Sequence, residues 1–226
     1  MTLKKRIFDV GLAIFAMIFF AIPGVLIAGL LLIRQGRPIL YASERMKTPQ
    51  QAFLLWKFRT MYQDHSDTGV SGGHKHNRIT PMGRKLRRYR LDELPQLWNV
   101  LRGDLSFVGP RPPLKCYVDR FPQIYAQVLA GTPGITGLAT LVFHAREEML
   151  LAGCANASET DEVYSRRCIA RKARLDIIYH KKRSLWLDTF LLLQTLAMLI
   201  QKLKVNLPAL HQNGRKVKTP TTNFLN

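Results

Sequence analysis

The chain has 226 residues, with 34 Lys and Arg against 15 Asp and Glu and a formal charge of +19; the length suits one domain plus a membrane element and argues against a second globular domain. Such a charge calls for a polyanionic partner, and because no helix-turn-helix, zinc-finger or RNA-binding signature accompanies it while a long apolar segment does, anionic lipid headgroups and phosphorylated substrates are favoured over nucleic acid. Cys116, Cys154 and Cys168 are odd in number and lack Cys-x-x-Cys spacing, which excludes a disulfide framework or structural zinc site and fits a reducing compartment.

Val10 to Ile33 carries no charge, and as a helix at about 1.5 Å per residue it would measure roughly 36 Å, enough to cross a hydrocarbon core. Its leader Lys4-Lys5-Arg6 resembles a signal-peptide n-region, but the run is longer than an h-region and lacks a small-x-small cleavage site, so it reads as a retained anchor. Arg34 and Arg37 make the second flank basic too, so the positive-inside rule gives no direction. Pro23, near the midpoint, predicts a kink. Two forms fit: a re-entrant helix that turns at Pro23 and returns both flanks to one surface, or a straight signal anchor with a tolerated proline.

Residues 39 to 62 read as two strands around a polar turn at Lys47 to Gln51, the second running through Phe53 to Phe58. Lys57 and Arg59 stand two residues apart at its end and so on one face, either binding an anion or simply solvated. Asp64 to His76 reads as a mobile loop, and its His74 and His76 lack a third ligand nearby, so no metal is assigned to them.

Thr80-Pro81 opens a helix whose polar face carries Arg84, Lys85, Arg87 and Arg88, suited to anionic lipid, to phosphate, or to solvent. A second helix follows, with Asp92 as N-cap, Glu93 as its first residue and Pro95 in its first turn. Leu94, Leu97, Trp98 and Leu101 then form its apolar face, and Arg102-Gly103 its stop. Two adjacent carboxylates would thereby sit at a positive dipole end, although a merely capped helix fits the same residues. In Gly109 to Pro113 three prolines fix φ, which would hold the Arg111 guanidinium stiffly for bidentate phosphate contacts; a proline-rich surface turn is the alternative.

Tyr117 to Leu129 predicts a helix interrupted or started near Pro122, Gly131 to Gly134 a turn, and Glu159 to Lys182 a charged helix. Leu185 to Ile200 is apolar but holds Asp188 and Gln194, so it reads as an interfacial or core-packing helix rather than a span. The boundaries implied are 1–36 for the membrane element, 37–210 for the globular domain and 211–226 for a polar, disordered tail.

Residues 92 to 112, Asp-Glu-Leu-Pro-Gln-Leu-Trp-Asn-Val-Leu-Arg-Gly-Asp-Leu-Ser-Phe-Val-Gly-Pro-Arg-Pro, resemble the signature of the bacterial sugar transferase family, the monotopic polyprenyl-phosphate phosphoglycosyl transferases. Lys57 to Met61, Asn77 to Gly83, Pro133 to Ala139, Asp176 to Tyr179 and Ser184 to Asp188 extend the likeness over nearly the whole chain. The resemblance implies an α+β, mostly helical fold: an N-terminal re-entrant membrane helix kinked at Pro23, a small cytoplasmic catalytic domain and interfacial amphipathic helices. It implies transfer of a sugar 1-phosphate from a nucleotide diphosphate sugar, UDP-sugar by preference, to undecaprenyl phosphate at the cytoplasmic face of the bacterial inner membrane. Exopolysaccharide, O-antigen, capsule or glycoprotein glycan assembly would start there.

On that reading Asp92 is the nucleophile that forms a covalent phospho-sugar intermediate, Glu93 with Asp92 holds Mg2+, and Lys57, Arg59, Arg87 and Arg111 neutralise substrate phosphates. Anionic lipid is the further partner, and a homodimer is compatible with it. After Ala139 the sequence departs from the family: many members carry a Gln and then a Gly-Arg-Asn-like element where Thr140 and Phe143 to Glu148 stand here, so sugar and nucleotide specificity do not transfer, although Arg146 remains a candidate phosphate contact. Two rivals exist. A non-enzymatic basic membrane scaffold would not need the acid pair, and a polytopic phosphoglycosyl transferase would need more spans.

Overall fold

The computed structural model describes residues 1–62 and 78–204; the predicted loop with His74 and His76 and the polar tail lie outside the described residues. Within them the fold is mostly helical α+β with two small sheets.

Helix α1 (Leu3–Phe19), capped by the Thr2 hydroxyl, and α2 (Ala21–Gln35) are bent by 60° at Phe20. No single helix among the described residues is long and apolar enough to cross a membrane, but this bent pair is by length and composition. The turning point precedes Pro23, which sits in the first turn of α2. A proline ring clashes with the carbonyl four residues back and offers it no N–H, so Pro23 acts at Phe19 and the break falls at the next residue.

Both ends of the bent pair are fixed to the same globular body. At the start of α1, Lys5 donates to Asp188 Oδ2 at 2.6 Å, and the Arg6 guanidinium donates to the Val100 and Leu101 carbonyls, both at 2.6 Å. The Tyr179 hydroxyl lies 2.6 Å from Asp188 Oδ1 and 3.0 Å from the Val108 carbonyl; its one proton goes to the nearer, charged acceptor. At the end of α2, Gln35 bonds Thr80, and Ile27 and Leu31 pack on Phe58 and Leu86. The middle of the pair stays bare: Ile22 is 75% exposed, with Phe15, Ile18, Phe19 and Val25 comparably so.

Strands β1 (Leu40–Met46) and β2 (Ala52–Phe58) form the predicted antiparallel hairpin, Tyr41 opposite Lys57. The Thr80 hydroxyl caps α3 (Pro81–Arg88) by accepting from the Gly83 amide. A short 3₁₀ turn, Leu91–Glu93, leads to α4 (Gln96–Arg102), which Gly103 ends in the left-handed region at φ 81°. The single helix expected over this stretch, with Asp92 as its N-cap, is therefore corrected. The amides of Glu93, Leu94, Leu97 and Trp98 bond three residues back, to the carbonyls of Arg90, Leu91, Leu94 and Pro95; Pro95 supplies no amide, and the chain winds tighter there.

The expected apolar face is shifted as well. Trp98 is 52% exposed, whereas Gln96, Leu97, Asn99 and Val100 are buried. Asn99 explains why a polar residue faces inward: its amide nitrogen donates to the Leu54 carbonyl at 2.8 Å and its oxygen accepts from the Trp56 amide at 3.1 Å, fastening α4 to the edge of β2.

Strand β3 (Ser106–Val108) pairs in parallel with β4 (Gly134–Thr136), and between them run α5 (Lys115–Arg120) and α6 (Pro122–Val128), broken at Pro122 as predicted. Three glycines let the two strands meet. A Cβ at Gly109 would lie 2.5 Å from the Thr132 carbonyl oxygen, one at Gly134 2.2 Å from the Gly109 nitrogen, and one at Gly137 2.2 Å from the Gly109 carbonyl oxygen. Gly134→Ala is expected to cost about 3 kcal/mol, the upper part of the overpacking range, because the obstacle is backbone; thermal melting in detergent measures it.

The remaining helices are α7 (Leu138–Ala152), α8 (Ala157–Val163), a π turn at Tyr164–Cys168, α9 (Ile169–Lys182) and α10 (Leu185–Lys204). One core of Ala13, Phe53, Leu55, Leu97, Val100, Leu105, Phe107, Val108, Tyr179 and Leu191 joins α1, the hairpin, α4, β3, α9 and α10; a second, with Met46, Tyr117, Tyr125, Val128, Ile169 and Ala173, joins β1 to α5, α6 and α9. Helix α10 packs inward through Leu191 and leaves Trp186 82% exposed, with Phe190, Leu193, Leu196 and Ile200 along the bare side.

Candidate active site

The site is assembled from four segments whose positions follow from the packing above. The end of β2, held by Asn99, presents Lys57. Helix α3 sits hard against the backbone of Thr60, where a Cβ at Gly83 would meet the Thr60 carbonyl oxygen at 2.1 Å, and this brings the Arg87 Nε to the Thr60 hydroxyl at 2.8 Å. Arg90, in the left-handed region at φ 56°, reverses the chain after α3, a conformation that costs a side-chain-bearing residue about 1 kcal/mol. The Gly109–Gly134 contact then sets the proline segment that carries Arg111.

Glu93 is the electrostatic centre. Its Oε1 accepts from Lys57 Nζ at 3.1 Å and Arg111 Nη2 at 3.0 Å, and its Oε2 from Arg90 Nε at 3.1 Å and Nη2 at 2.6 Å. Four donors fill the lone-pair sites of one carboxylate. Burial alone would push its carboxyl up, but Arg111, Lys57 and Arg90 together hold it well below the usual carboxylate range. Burial pulls the Lys57 ammonium down against the opposing effect of Glu93, and the Glu93 charge pushes Arg111 up.

Asp92 differs in kind. It is 6% exposed, and among the described residues its carboxylate has no hydrogen-bond or ion-pair partner. Burial pushes it up, Lys57 draws it down, Glu93 adds to the rise, and the net direction is upward. The dipole of an α-helix does not act on it, because the three-residue turn is not one; the surrounding cations do that work.

Both carboxylates face a cavity of about 680 Å³. Arg45, Lys57, Arg87, Arg88, Arg90 and Arg111 line it near the acid pair, and Tyr117, Tyr125 and Tyr164, which cluster with α9, line it together with Asp176. Lys57, Arg87 and Arg111 are thus gathered with Asp92 and Glu93. Arg59 is not: β2 ends at Phe58, the alternation ends with it, and the guanidinium turns to the Gln35, Gly36 and Arg37 carbonyls at the end of α2. Arg146 is exposed on α7 outside the cavity, since helical spacing turns His144, Glu147 and Glu148 toward it instead.

Three lining residues escaped the sequence reading. Arg90 holds Glu93, and the acid following it at i+3 was the available signal. Arg45 donates to Ser43 at 3.2 Å, but among the described residues no carboxylate pairs with it, and burial, then Arg111, pulls its guanidinium down to about 10. Alternation from the Tyr41–Lys57 pair places Arg45 on the Lys57 face of the hairpin, a signal that needed the register. The third is Asp176, which the family likeness includes without assigning it a role.

The donor set bears on a metal. Among the described residues no group of three His, Cys, Asp or Glu side chains is placed to hold one. Asp92 and Glu93 offer oxygen donors only, which fits magnesium, an ion commonly bound by one or two carboxylates with substrate phosphates and water. Asp92 is free to ligate; Glu93 does so by giving up a donor, and Lys57 and Arg111 are the donors that incoming phosphates would draw away.

The family profile described as bacterial sugar transferase matches residues 1–202. Among curated relatives, the UDP-glucose:undecaprenyl-phosphate glucose-1-phosphate transferase of Caulobacter vibrioides is 35% identical over 204 residues, 88% of this chain and 70% of that protein. The UDP-N-acetylgalactosamine-undecaprenyl-phosphate N-acetylgalactosaminephosphotransferase of Aeromonas hydrophila is 29% identical over 87% of this chain, and the undecaprenyl-phosphate glucose phosphotransferase of Komagataeibacter xylinus 32% over 86%. The chain spans 43% of the Aeromonas protein and 35% of the Komagataeibacter protein.

Proposed function

The chain belongs to the bacterial sugar transferase family, and on that premise we propose that it moves a sugar 1-phosphate from a nucleotide diphosphate sugar, a UDP-sugar in our reading, to undecaprenyl phosphate, beginning the assembly of a surface glycan. The observation that carries this is the contrast inside the acid pair: Glu93 is saturated by three cations while Asp92, beside it in a cation-lined cavity, is buried and has no hydrogen-bond or ion-pair partner among the described residues. A scaffold that only sits on lipid has no use for such a pair.

In the proposed chemistry an Asp92 carboxylate oxygen attacks the sugar-bearing phosphorus. The bond from that phosphorus to the bridging oxygen breaks, the nucleoside monophosphate leaves with the electron pair, and a sugar-phosphate ester of Asp92 remains. A phosphate oxygen of undecaprenyl phosphate then attacks the same phosphorus and releases the Asp92 carboxylate. Lys57, Arg87 and Arg111 bind the diphosphate, and Arg45, half-buried and without a carboxylate partner among the described residues, suits the departing phosphate. Magnesium, held by Glu93 and Asp92, would supply charge stabilisation for the leaving phosphate. A direct transfer from a ternary complex is the competing mechanism.

The acceptor sets the location, the cytoplasmic face of the inner membrane. That both ends of the α1–α2 pair dock on one body supports a re-entrant reading, with both flanks on one side of the bilayer. The bare stripe of α10 from Trp186 to Ile200 suits the headgroup boundary. Cysteines placed before Lys4 and after Arg34 are expected to resist membrane-impermeant labelling of intact cells and to react after lysis; labelling of either flank from outside sinks the re-entrant form.

The catalytic reading is tested with purified protein, undecaprenyl phosphate and a panel of nucleotide sugars. Turnover of at least one donor is expected, and mass spectrometry with donor alone should show a sugar-phosphate adduct on Asp92. An unmodified protein with intersecting-line kinetics favours the ternary complex, and no turnover across the panel removes the assignment.

A further inference from the structure

Asp176 is a buried carboxyl that the chemistry above does not use. It is 7% exposed, lines the same cavity, and among the described residues has no hydrogen-bond or ion-pair partner. Burial pushes it up to about 7, with Lys172 pulling the other way. Lys172, one helical turn earlier, is already committed, donating to Glu147 at 3.0 Å and lying 3.2 Å from the Tyr164 hydroxyl. It therefore acts on Asp176 through space and does not satisfy it.

The surroundings indicate what Asp176 would meet. Ile169, Lys172, Ala173 and Asp176 recur at i, i+3, i+4 and i+7 and turn one stripe of α9 into the cavity, opposite Tyr125 and Val128 of α6. This lobe differs chemically from the end that holds Asp92. Asp176 stands there with Tyr125, Tyr164, Val128, Ile169 and Ala173, and the one cation of its stripe, Lys172, is already paired with Glu147, whereas Asp92 and Glu93 stand among the guanidinium groups and the ammonium suited to phosphates. A substrate whose phosphates occupy the cationic end has to place an uncharged portion elsewhere in a cavity of about 680 Å³. The Asp176 oxygens are open to the cavity rather than sealed in the core, so a ligand can reach them, and two hydroxyls on adjacent carbons are well matched to the two oxygens of one carboxyl. Ring C–H faces pack well on aromatic side chains.

We propose that Asp176 recognises the donor, binding vicinal hydroxyls of a sugar ring, the transferred hexose or the ribose of the nucleotide, in the lobe between α6 and α9. The inference rests on the proposed donor chemistry and assigns that donor a second contact region, remote in sequence from the acid pair. It also locates a determinant of donor choice outside the segment from Thr140 to Glu148, where the sequence departs from the family.

The test compares wild type with Asp176→Asn and Asp176→Glu across nucleotide sugars that differ at single hydroxyls, with nucleoside monophosphate as a competing ligand and melting temperature recorded in detergent. Asp176→Asn keeps the shape and loses an acceptor, so KM for the donor is expected to rise about tenfold to hundredfold, with a smaller change in kcat. If the hexose is bound, Asp176→Glu also alters the ranking of epimeric donors while inhibition by the nucleoside monophosphate stays constant. If the ribose is bound, that inhibition weakens by a similar factor and the ranking stays. Wild-type KM, donor ranking and inhibition in both variants overturn the inference, even with a changed melting temperature, since that is the behaviour of a merely structural acid. A wild-type protein that turns over no donor overturns the proposed function and this inference together; an active wild type with unaltered variants overturns the inference alone.

Discussion

Asp92→Asn is expected to reduce sugar-phosphate transfer on the order of 10⁴-fold, as loss of a covalent nucleophile does, while the melting temperature stays level or rises. The two halves have one cause. The Asp92 carboxylate is buried and unpartnered, so its ionised form is bound poorly by the fold, and a neutral amide of the same shape removes that penalty. The upward push on its carboxyl has a further consequence. Asp92 must be ionised to attack, so protonation begins above its ordinary value of 3.8, and the acid limb of kcat/KM should fall at a pH higher than an exposed aspartate would give. A more basic carboxylate is also the better nucleophile. Transfer activity, adduct formation and melting measured on one preparation decide the matter; an Asp92→Asn protein that loses stability in step with activity would show that Asp92 serves the fold instead.

Much of this site was legible in the sequence because its parts are local. The β1–β2 hairpin, the Thr80 cap, the break at Pro122 and the adjacency of Asp92 and Glu93 each depend on a few neighbouring residues. Errors arose where distant chain segments set the answer. Apolar periodicity put Trp98 inside and ignored Asn99, because the reason for burying Asn99 is the edge of β2, more than forty residues earlier. The acid pair suggested a helix cap; a missing amide at Pro95 and the left-handed Arg90 wind a 3₁₀ turn in its place. Lys57 and Arg59 looked equivalent until the strand ended between them. Arg45 carries no local mark, and Asp176 stands in a segment of the family likeness that assigns it no role; only tertiary packing brings the two into the cavity.

The start of α1 makes the same point for the membrane element. Hydropathy divides the chain near residue 36, yet Lys5, Asp9 and Ala13 are buried against α4, β3 and α10, so the first turns of the apolar pair also belong to the domain core. The Lys5–Asp188 pair joins residues 183 positions apart. It holds the start of α1 against α10, so the beginning of the bent pair is fixed to the body that carries the cavity.

Glu93→Gln, by contrast with Asp92→Asn, is expected to lose both stability and activity. Removing the charge leaves Lys57, Arg90 and Arg111 crowded without their shared carboxylate. Breaking one side of a buried ion pair costs about 3–5 kcal/mol, and the low end applies because the Arg111 side chain is 40% exposed. In melting experiments about 3 kcal/mol corresponds to a fall of roughly 6–12 °C for a chain of this size. The pH dependence follows from the direction of the shift. The folded-state value of Glu93 lies well below the ordinary 4.5, so its stabilisation is fully present above the ordinary value and is lost as pH falls toward the folded one. The gap between wild type and Glu93→Gln should therefore be constant near neutrality and close in acid. Inorganic pyrophosphate supplies the missing negative charge and should raise the melting temperature of Glu93→Gln more than that of wild type, because the three cations are then free to bind it. A variant that melts like wild type across this range, or gains nothing extra from pyrophosphate, would show that Glu93 does not organise the phosphate-binding cations.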